Sequence, residues 1–441
     1  MTLGFLRTFW SVLIGLLGAG ATIAILASPA LADVSPGELI THENAARVKD
    51  LVSPGVYYKV NHGMSMKVMP TERIEWPPPY KGATEKYSGQ VRLSPDGRTL
   101  LNYVAGQPFP FVDLNDPHVA NKIMWNNAFR PITSDDYDLR NYGCDSVSTS
   151  LGSGPRVLDH FQIGHYAGYS LVGRTEVEPM PVDPDFKNTG RYWLFGLYPV
   201  LAPQSLHGTG FIRWRYADPN RGDDIWNWTT GSRRVRRLNE AIMSSAVAPA
   251  TRRSADVTVF DPDHYSGFNP KIEQYDYKFL GERTMLAPVN VANSPATTCM
   301  SDGGASACPE NWQKRHLYLI EATPRAGFAN NALHSKTLVY VDSELWFNPY
   351  VDSYDKAGQL WQNHIYWLTY RDRPVPDAKI AIYPFKRQFV VAAAATDVQT
   401  GAVTMCYLPD RNSPERETWY INMGAVDRDF FTTSAMVRAA R

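Results

Sequence analysis

The sequence predicts a mainly β, α+β fold in which a large curved antiparallel sheet carries a few covering helices. The 24 Tyr, 18 Phe and 12 Trp favour strands and apolar pockets. The 32 Pro and 31 Gly indicate many turns rather than long helices. From residue 191 onward, short aromatic runs alternate with turn residues at the close spacing of an antiparallel meander.

Residues 1–32 are predicted to be a cleavable signal peptide. A single positive charge at Arg7 precedes an apolar run over residues 9–27, and Ala30 and Ala32 form a small-residue cleavage site. An uncleaved anchor helix is the alternative, since the run is nearly long enough to cross a bilayer. We expect cleavage after Ala32 and a soluble protein in a bacterial periplasm.

Residues 33–185 are predicted to be a helix- and loop-rich region that covers or extends the sheet. Ser35-Pro36-Gly37-Glu38 has the pattern of a capped helix start, which predicts an amphipathic helix ending near Pro54. Pro-rich stretches downstream indicate irregular structure, with a short helix around residues 120–128.

Residues 186–441 are predicted to form the antiparallel β domain. The gaps between its strands are too short for the crossover helices that parallel pairing needs. The predicted strands are 191–199, 210–217, 225–228, 233–238, 255–260, 272–280, 315–323, 337–342, 345–353 and 360–369.

The four cysteines of an exported chain favour disulfides. Cys299 and Cys308 bracket a Gly/Ser/Asp-rich loop and are predicted to pair locally. Cys144 and Cys406 lie far apart in the sequence, which leaves open whether they pair.

The sequence has no recognisable catalytic motif, phosphate-binding glycine loop or metal-binding helix motif, so we expect no catalytic residue, metal or cofactor. Lys plus Arg and Asp plus Glu number 44 each, which predicts no nucleic-acid partner. His160 and His165 have a poor spacing for joint metal ligation. Asp261-Pro262-Asp263-His264 has side chains suited to cation binding or acid–base chemistry, but a turn is the favoured interpretation.

Aromatic residues recur at two-residue spacing on neighbouring predicted strands, which would place them on one face of the sheet. Such a face is ordinarily core, and in a curved open sheet it can also line a cavity for a hydrophobic ligand. The residues predicted to contact such a ligand are Trp193, Phe195, Trp214, Tyr216, Trp226, Trp228, Tyr275, Tyr277 and Trp346.

The densest charge cluster is a predicted strand with four arginines, Arg233, Arg234, Arg236 and Arg237. These side chains are candidates to hold a phosphate or carboxylate headgroup, or an acidic partner, through charge-assisted hydrogen bonds. The alternative is a solvated edge strand whose charge prevents aggregation.

Several motifs resemble those of the domain-of-unknown-function family 1329, and together they cover most of the chain after residue 32. They are Gly106-Gln107-Pro108-Phe109-Pro110, Asp116-Pro117, Trp125-Asn126, residues 213–237, Asp261-x-Asp263, Tyr275-Asp276-Tyr277-Lys278, Leu280-Gly281, Tyr340-Val341-Asp342 and Tyr354-Asp355-x-x-Gly358-x-Leu360. Members of this family tend to occur alongside outer-membrane proteins and efflux-type permeases. The resemblance therefore implies envelope transport of lipids or hydrophobic compounds.

Residues 190–370 are also similar in pattern to the periplasmic outer-membrane lipoprotein carriers LolA and LolB. The shared features are a paired-arginine strand after an aromatic strand, and Asp342 followed by Trp346 and a Tyr-Asp-x-x-Gly turn. This similarity implies a half-open antiparallel β-barrel with helices as a lid and a cavity for acyl chains. The chain is much longer than such a carrier, so lipoprotein sorting itself is not implied.

The sequence thus predicts a periplasmic carrier or chaperone that binds a lipid or another hydrophobic molecule. One alternative is an adaptor subunit of an envelope transport complex, with an outer-membrane protein or an inner-membrane efflux-type permease as its partner. The other is a lipid-modifying hydrolase that uses Asp261, Asp263 and His264.

Overall fold

The computed structural model describes residues 33–132, 134–149, 154–238, 267–294, 296–328, 332–413, 415 and 417–440. These residues form a mainly β fold with few helices, as the sequence predicts. The predicted signal peptide, the predicted strand 255–260 and the Asp261-Pro262-Asp263-His264 motif lie outside them. No helix in the described part of the chain is long and apolar enough to span a membrane.

The strands are numbered in chain order. They are β1 Leu39–Ile40, β2 Met66–Met69, β3 Arg92–Leu93, β4 Leu100–Leu101, β5 Asp136–Ser148, β6 Arg156–Ser170, β7 Arg191–Leu197, β8 Val200–Ala202, β9 Gly210–Tyr216, β10 Asp224–Thr229, β11 Arg234–Leu238, β12 Tyr275–Ala287, β13 Glu310–Pro324, β14 Lys336–Asp342, β15 Tyr350–Tyr354, β16 Leu360–Arg371, β17 Arg387–Asp397, β18 Ala402–Tyr407 and β19 Trp419–Ile421. The α-helices are α1 Pro54–Asn61, α2 Pro78–Tyr87, α3 Val119–Ala128, α4 Asp185–Thr189 and α5 Thr433–Ala439.

Thirteen strands form one antiparallel ladder in the order β12-β13-β14-β15-β16-β17-β18-β5-β6-β7-β9-β10-β11. β19 and β8 pair with parts of β5 and β6, and β2 runs parallel to the start of β13. Within the described ranges no pairing joins β11 to β12, so these residues form an open sheet and not a closed barrel.

Residues 33–185, which the sequence predicts to be rich in helices and loops and to cover or extend the sheet, also supply β5 and β6 at the centre of the ladder. A boundary at residue 185 would separate β6 from its partner β7. These strands escape prediction because polar residues interrupt their apolar pattern. Buried Asp136, Asp138 and Asp145 lie on β5, where hydrogen bonds from other segments stabilise them.

The first α-helix begins at Pro54, whereas the sequence predicts a helix that ends near this residue. The predicted stretch contains a short 3₁₀ helix, Ala45–Val48. The hydroxyl of Ser53 accepts a hydrogen bond from the backbone N–H of Val56 at 3.3 Å, and Pro54 occupies the first turn. The backbone N–H of Ser35 donates to the carboxylate of Glu38 at 3.2 Å, and the backbone N–H of Glu38 donates to the carbonyl of Ser35 at 3.1 Å, so these bonds close a turn and not a helix. The short helix expected over residues 120–128 is confirmed by α3.

Both faces of the sheet pack against other parts of the chain. α1 contributes Val56 and Val60 to the largest apolar cluster, on the face that also holds Phe195 and Phe211. α3 covers the outer side of β13 and β14. α5 covers the outer side of β9 and β10. The sheet is therefore apolar on both faces, and strand alternation alone does not distinguish them.

Two disulfides occur in the described chain. Cys299 and Cys308 pair as predicted, closing a loop with a sequence separation of 9. Cys144 and Cys406 also pair, with a separation of 262, and they are direct neighbours across β5 and β18. The long-range disulfide thus joins strands from opposite ends of the chain.

We predict that the two disulfides differ in their contribution to stability. In the chain-entropy model, removing the long-range bond by C144A/C406A costs about 5.5 kcal/mol, and removing the local bond by C299A/C308A costs about 2.5 kcal/mol. Urea unfolding of the oxidised protein measures both losses. Equal losses in the two double variants would show that loop length does not govern the effect.

Candidate functional site

An interior cavity of about 80 Å³ lies where the end of α3 meets β5, β6, β7 and β9. Its wall is dominated by aromatic rings, five of them tyrosines. The tyrosines are Tyr80, Tyr103, Tyr137, Tyr166 and Tyr192. Trp193, Phe129, Phe347 and Trp419 complete the aromatic part of the wall.

Local backbone features orient three of these rings toward the cavity. β7 has an irregular register between Arg191 and Trp193, so Tyr192 is an extra residue and both it and Trp193 reach the wall. The ring of Tyr137 lies over Gly168, where an added Cβ would come within 2.3 Å of it. Glycine at this position therefore allows the ring to lie against β6.

Hydrogen bonds hold several phenols in place. Tyr80 donates to Oε1 of Gln107 at 2.7 Å, and Tyr103 donates to the carbonyl of Gly106 at 2.9 Å. Burial raises the pKa of Tyr80, Tyr103 and Tyr192 above the ordinary value of a phenol. The phenols thus remain neutral hydrogen-bonding groups at physiological pH.

Two buried arginines also line the cavity. Pro131 prevents α3 from continuing, so Arg130 leaves the helix and enters the wall, where its guanidinium lies 5.2 Å from the centre of the Phe347 ring. Arg215 comes from β9, where its Nε donates to Asp223 at 2.9 Å. Although burial opposes ionisation of Asp223, Arg213 and Arg215 together hold its pKa below the ordinary value.

A second cavity of about 40 Å³ adjoins the first. Leu139, Tyr166, Val390 and Trp419 line both spaces, and Cys406 of the long-range disulfide lines the second. The described lining of this second cavity contains no charged residue. The two spaces together therefore have an arginine-containing end and an apolar end.

The structure divides the predicted ligand-contact aromatics among several clusters. Trp193 lines the first cavity, and Phe195 stacks on it with ring centres 5.4 Å apart. Four others lie at or near the opposite face of β9 and β10, where the ring centres of Trp214 and Trp226 are 4.2 Å apart. These four are Trp214, Tyr216, Trp226 and Trp228.

The remaining three aromatics pack in the cluster beneath α3. They are Tyr275, Tyr277 and Trp346. The expectation that all nine share one face is wrong, because alternation along β9 and β10 places Trp214 and Trp226 opposite the cavity-side residues Arg213 and Arg215.

The predicted arginine cluster lies on the β10–β11 hairpin and lines neither cavity. Arg233 lies in the turn with φ 48°, and Arg234, Arg236 and Arg237 are exposed on β11. Register places Arg237 opposite Trp226 and Arg236 opposite Asn227, so these two arginines point to different faces of the sheet. Arg237 forms an ion pair with Asp224.

Sequence reasoning missed most of the cavity wall. Arg130, Tyr137, Tyr166 and Trp419 lie on segments that were predicted as loops or were not interpreted. One signal was available, because Arg213 and Arg215 alternate with Trp214 on a predicted strand and must therefore face the side opposite that ring.

His160 lies outside the cavity wall, at the outer end of the β5–β18 junction. Its Nδ1 contacts Asp145 at 2.8 Å and its Nε2 contacts Asp410 at 3.0 Å. These hydrogen bonds to Asp145 and Asp410 raise the pKa of His160 to about 9. The imidazolium thus connects β5 to the segment after β18, with both ring nitrogens engaged.

The fold and the site define a mainly β protein with an aromatic interior cavity. The chain belongs to the family described as "Protein of unknown function (DUF1329)", whose model matches residues 39–437. No curated protein matches the chain.

Several solved structures are similar to this chain at low identity, and three of them illustrate the similarity. One is described as an outer membrane lipoprotein-sorting protein domain from Vibrio parahaemolyticus, with 15% identity and a TM-score of 0.42, covering 69% of this chain and 92% of that one. A DUF1329 family protein from Desulfovibrio piger has 16% identity, a TM-score of 0.41 and the same two coverages. A LolA superfamily protein from Nitrosomonas europaea has 12% identity and a TM-score of 0.38, covering 72% of this chain and 98% of that one.

We predict that His160 makes stability depend on pH in the alkaline range. The pKa of His160 is about 9 in the folded protein, against 6.5 for histidine in the unfolded chain. Its contribution to the free energy of unfolding is therefore complete below pH 6.5 and is lost as pH rises through 9. Allowing for partial exposure, we expect a loss of about 1 kcal/mol.

The measurement is urea unfolding of the wild type and H160Q at pH 6.5 and pH 9.5. The difference in stability between the two proteins should be smaller at pH 9.5. His316→Gln, a change at a half-exposed histidine, serves as the control. An H160Q defect of the same size at both pH values would contradict the prediction.

Proposed function

We propose that the protein is a carrier or chaperone that binds a lipid or another hydrophobic molecule, with the two adjoining cavities as part of the binding space. The observation that carries the proposal is an interior space bounded by aromatic and aliphatic side chains, with an entirely uncharged described lining at one end. Each buried ligand methylene would contribute about 0.8 kcal/mol, before the cost of ordering the ligand. No catalytic residue is required for this activity.

Two features support a periplasmic location. Both disulfides are typical of an oxidising compartment outside the cytoplasm. The predicted signal peptide at residues 1–32 provides a route to that compartment. In this proposal the curved sheet acts as a half-open barrel around the ligand, and delivery takes place within the cell envelope.

A second candidate function is that of an adaptor in an envelope transport complex. The exposure of Arg234, Arg236 and Arg237 on β11, away from both cavities, favours it. Such a cationic strand is suited to an acidic protein surface. An outer-membrane protein or an inner-membrane efflux-type permease would be the partner.

The carrier proposal predicts a hydrophobic ligand that depends on the cavity face of the sheet. The protein, purified from the periplasm without detergent, should release a lipid-class molecule near one equivalent on extraction and mass spectrometry. Trp193→Ala removes a ring from the cavity wall and should reduce this ligand several-fold, because the pocket loses apolar contact.

Trp226→Ala is the matched control. This residue is also a half-buried tryptophan, on β10, which β9 separates from β7, but it faces α5. We expect it to lower stability while leaving the ligand content unchanged. A protein free of ligand that takes up no acyl probe would refute the carrier proposal and favour the adaptor.

A further inference from the structure

The segment between β16 and β17 forms a compact surface loop that presents two isoleucines to solvent. The backbone N–H of Tyr383 donates to the carbonyl of Asp372 at 2.8 Å, which brings the two ends of the loop together. Ala381 is fully buried, whereas its neighbours Ile380 and Ile382 are 57% and 44% exposed. The 372–383 loop is therefore packed against the fold and still leaves two aliphatic side chains outside.

Hydrogen bonds hold the backbone of this loop in place. The carboxylate of Glu417 accepts hydrogen bonds from the backbone N–H groups of residues 379–381. The phenol of Tyr383 donates to the carbonyl of Ile421 at 2.8 Å and accepts from the backbone N–H of the same residue at 2.8 Å. Because turning the isoleucines inward would break these bonds, their exposure is a built feature of the fold.

Cationic side chains flank the two isoleucines. Residues 371–387 contain five Lys or Arg against two Asp, whereas the charges of the whole chain balance. Lys379 is exposed directly before Ile380, and Lys386 is exposed shortly after the loop. The exposed apolar groups thus lie between two ammonium groups.

The acidic groups near the loop do not cancel this charge. Asp372 accepts a hydrogen bond from Nη2 of its neighbour Arg373 at 3.1 Å. The carboxylate of Glu417 is occupied by backbone N–H groups of the loop. Asp377 is the remaining acid of the segment, so the local charge stays positive.

The chemistry of this surface fits an anionic lipid bilayer. Exposed aliphatic side chains beside lysines are typical of segments that lie at a membrane interface, where the apolar groups enter the acyl boundary and the ammonium groups approach lipid phosphates. Specific protein–protein interfaces bury about 1,200–2,000 Å² in total, far more than two half-exposed isoleucines supply. A bilayer requires no complementary partner surface, so a small footprint is enough for reversible attachment.

We propose that the 372–383 loop docks the protein on the surface of an anionic lipid bilayer. In this arrangement Ile380 and Ile382 enter the acyl boundary, and Lys379 and Lys386 lie at the level of the headgroups. The inference goes beyond the proposed carrier function and does not depend on it.

The position of the loop links this surface to the interior of the protein. The ring centre of Tyr383 is 5.8 Å from that of Phe389, and the ring centre of Phe389 is 5.9 Å from that of Trp419. Trp419 lines both cavities. Docking through the loop would therefore bring the cavity side of the sheet close to the bilayer.

Vesicle flotation of the exported protein tests the proposal. The protein should float with vesicles of phosphatidylcholine that contain about 30% phosphatidylglycerol, and it should bind vesicles of phosphatidylcholine alone about tenfold more weakly, because the lysines are attracted only by charged lipid. Raising the salt concentration from about 50 to about 500 mM should remove most of this difference, because salt screens the attraction.

Two double variants separate the apolar and the cationic contributions. I380S/I382S should weaken binding to both kinds of vesicle about tenfold, because the loop loses the side chains that enter the acyl boundary. K379Q/K386Q should weaken binding to the anionic vesicles about tenfold and leave binding to the neutral vesicles within about twofold. All four side chains are exposed, so both variants should fold as the wild type does.

K278Q/L280S is the matched control. It removes an exposed lysine and an exposed leucine from β12, which β13, β14 and β15 separate from β16, and it should bind vesicles as the wild type does. Failure of the wild type to float with either vesicle would overturn the proposal, as would equal binding by the wild type and I380S/I382S. A protein that releases a co-purified lipid but never floats would overturn this inference alone and leave the carrier proposal intact.

Discussion

The pairing of β5 with β18 is the constraint on which the rest of the structure depends. β18 comes from the C-terminal part of the chain, yet it lies between β17 and β5 and so joins two strand meanders into one sheet. The disulfide between Cys144 and Cys406 fixes the register of this junction. Leu139 of β5 and Val390 of β17 both line the two cavities, so the cavities exist only while the junction holds.

Acidic groups beside the first cavity are bonded to other residues, and none of them is part of its described lining. The carboxylate of Asp135 accepts hydrogen bonds from the backbone N–H groups of Thr175, Glu176 and Val177 at 2.6–2.7 Å. Nη2 of Arg387 contacts both carboxylate oxygens of Glu176 at 2.7 Å. These bonds fix the loop after β6 against the starts of β5 and β17. The acids in this region thus serve the framework, while arginines line the cavity.

The fold was more predictable from the sequence than the site was. Strands after residue 190 were recognisable because aromatic alternation and turn residues are local signals. β5 and its partner β6 were not, since the buried aspartates of β5 depend on partners in other segments. The residues that line the cavity could not be predicted for a related reason. Alternation identifies which residues share a face, but α3 and α5 cover the outer faces, and nothing local distinguishes a covered face from one that borders a cavity.

The cavity persists because its wall cannot easily collapse. Tyr80 and Tyr103 are hydrogen-bonded to fixed groups, and Arg215 is held by Asp223 and Asn269, so none of these side chains can move inward without losing a bond. Because these bonds already fix the wall, a molecule bound in the cavity would lose less free energy to the ordering of side chains than one that had to arrange them on binding.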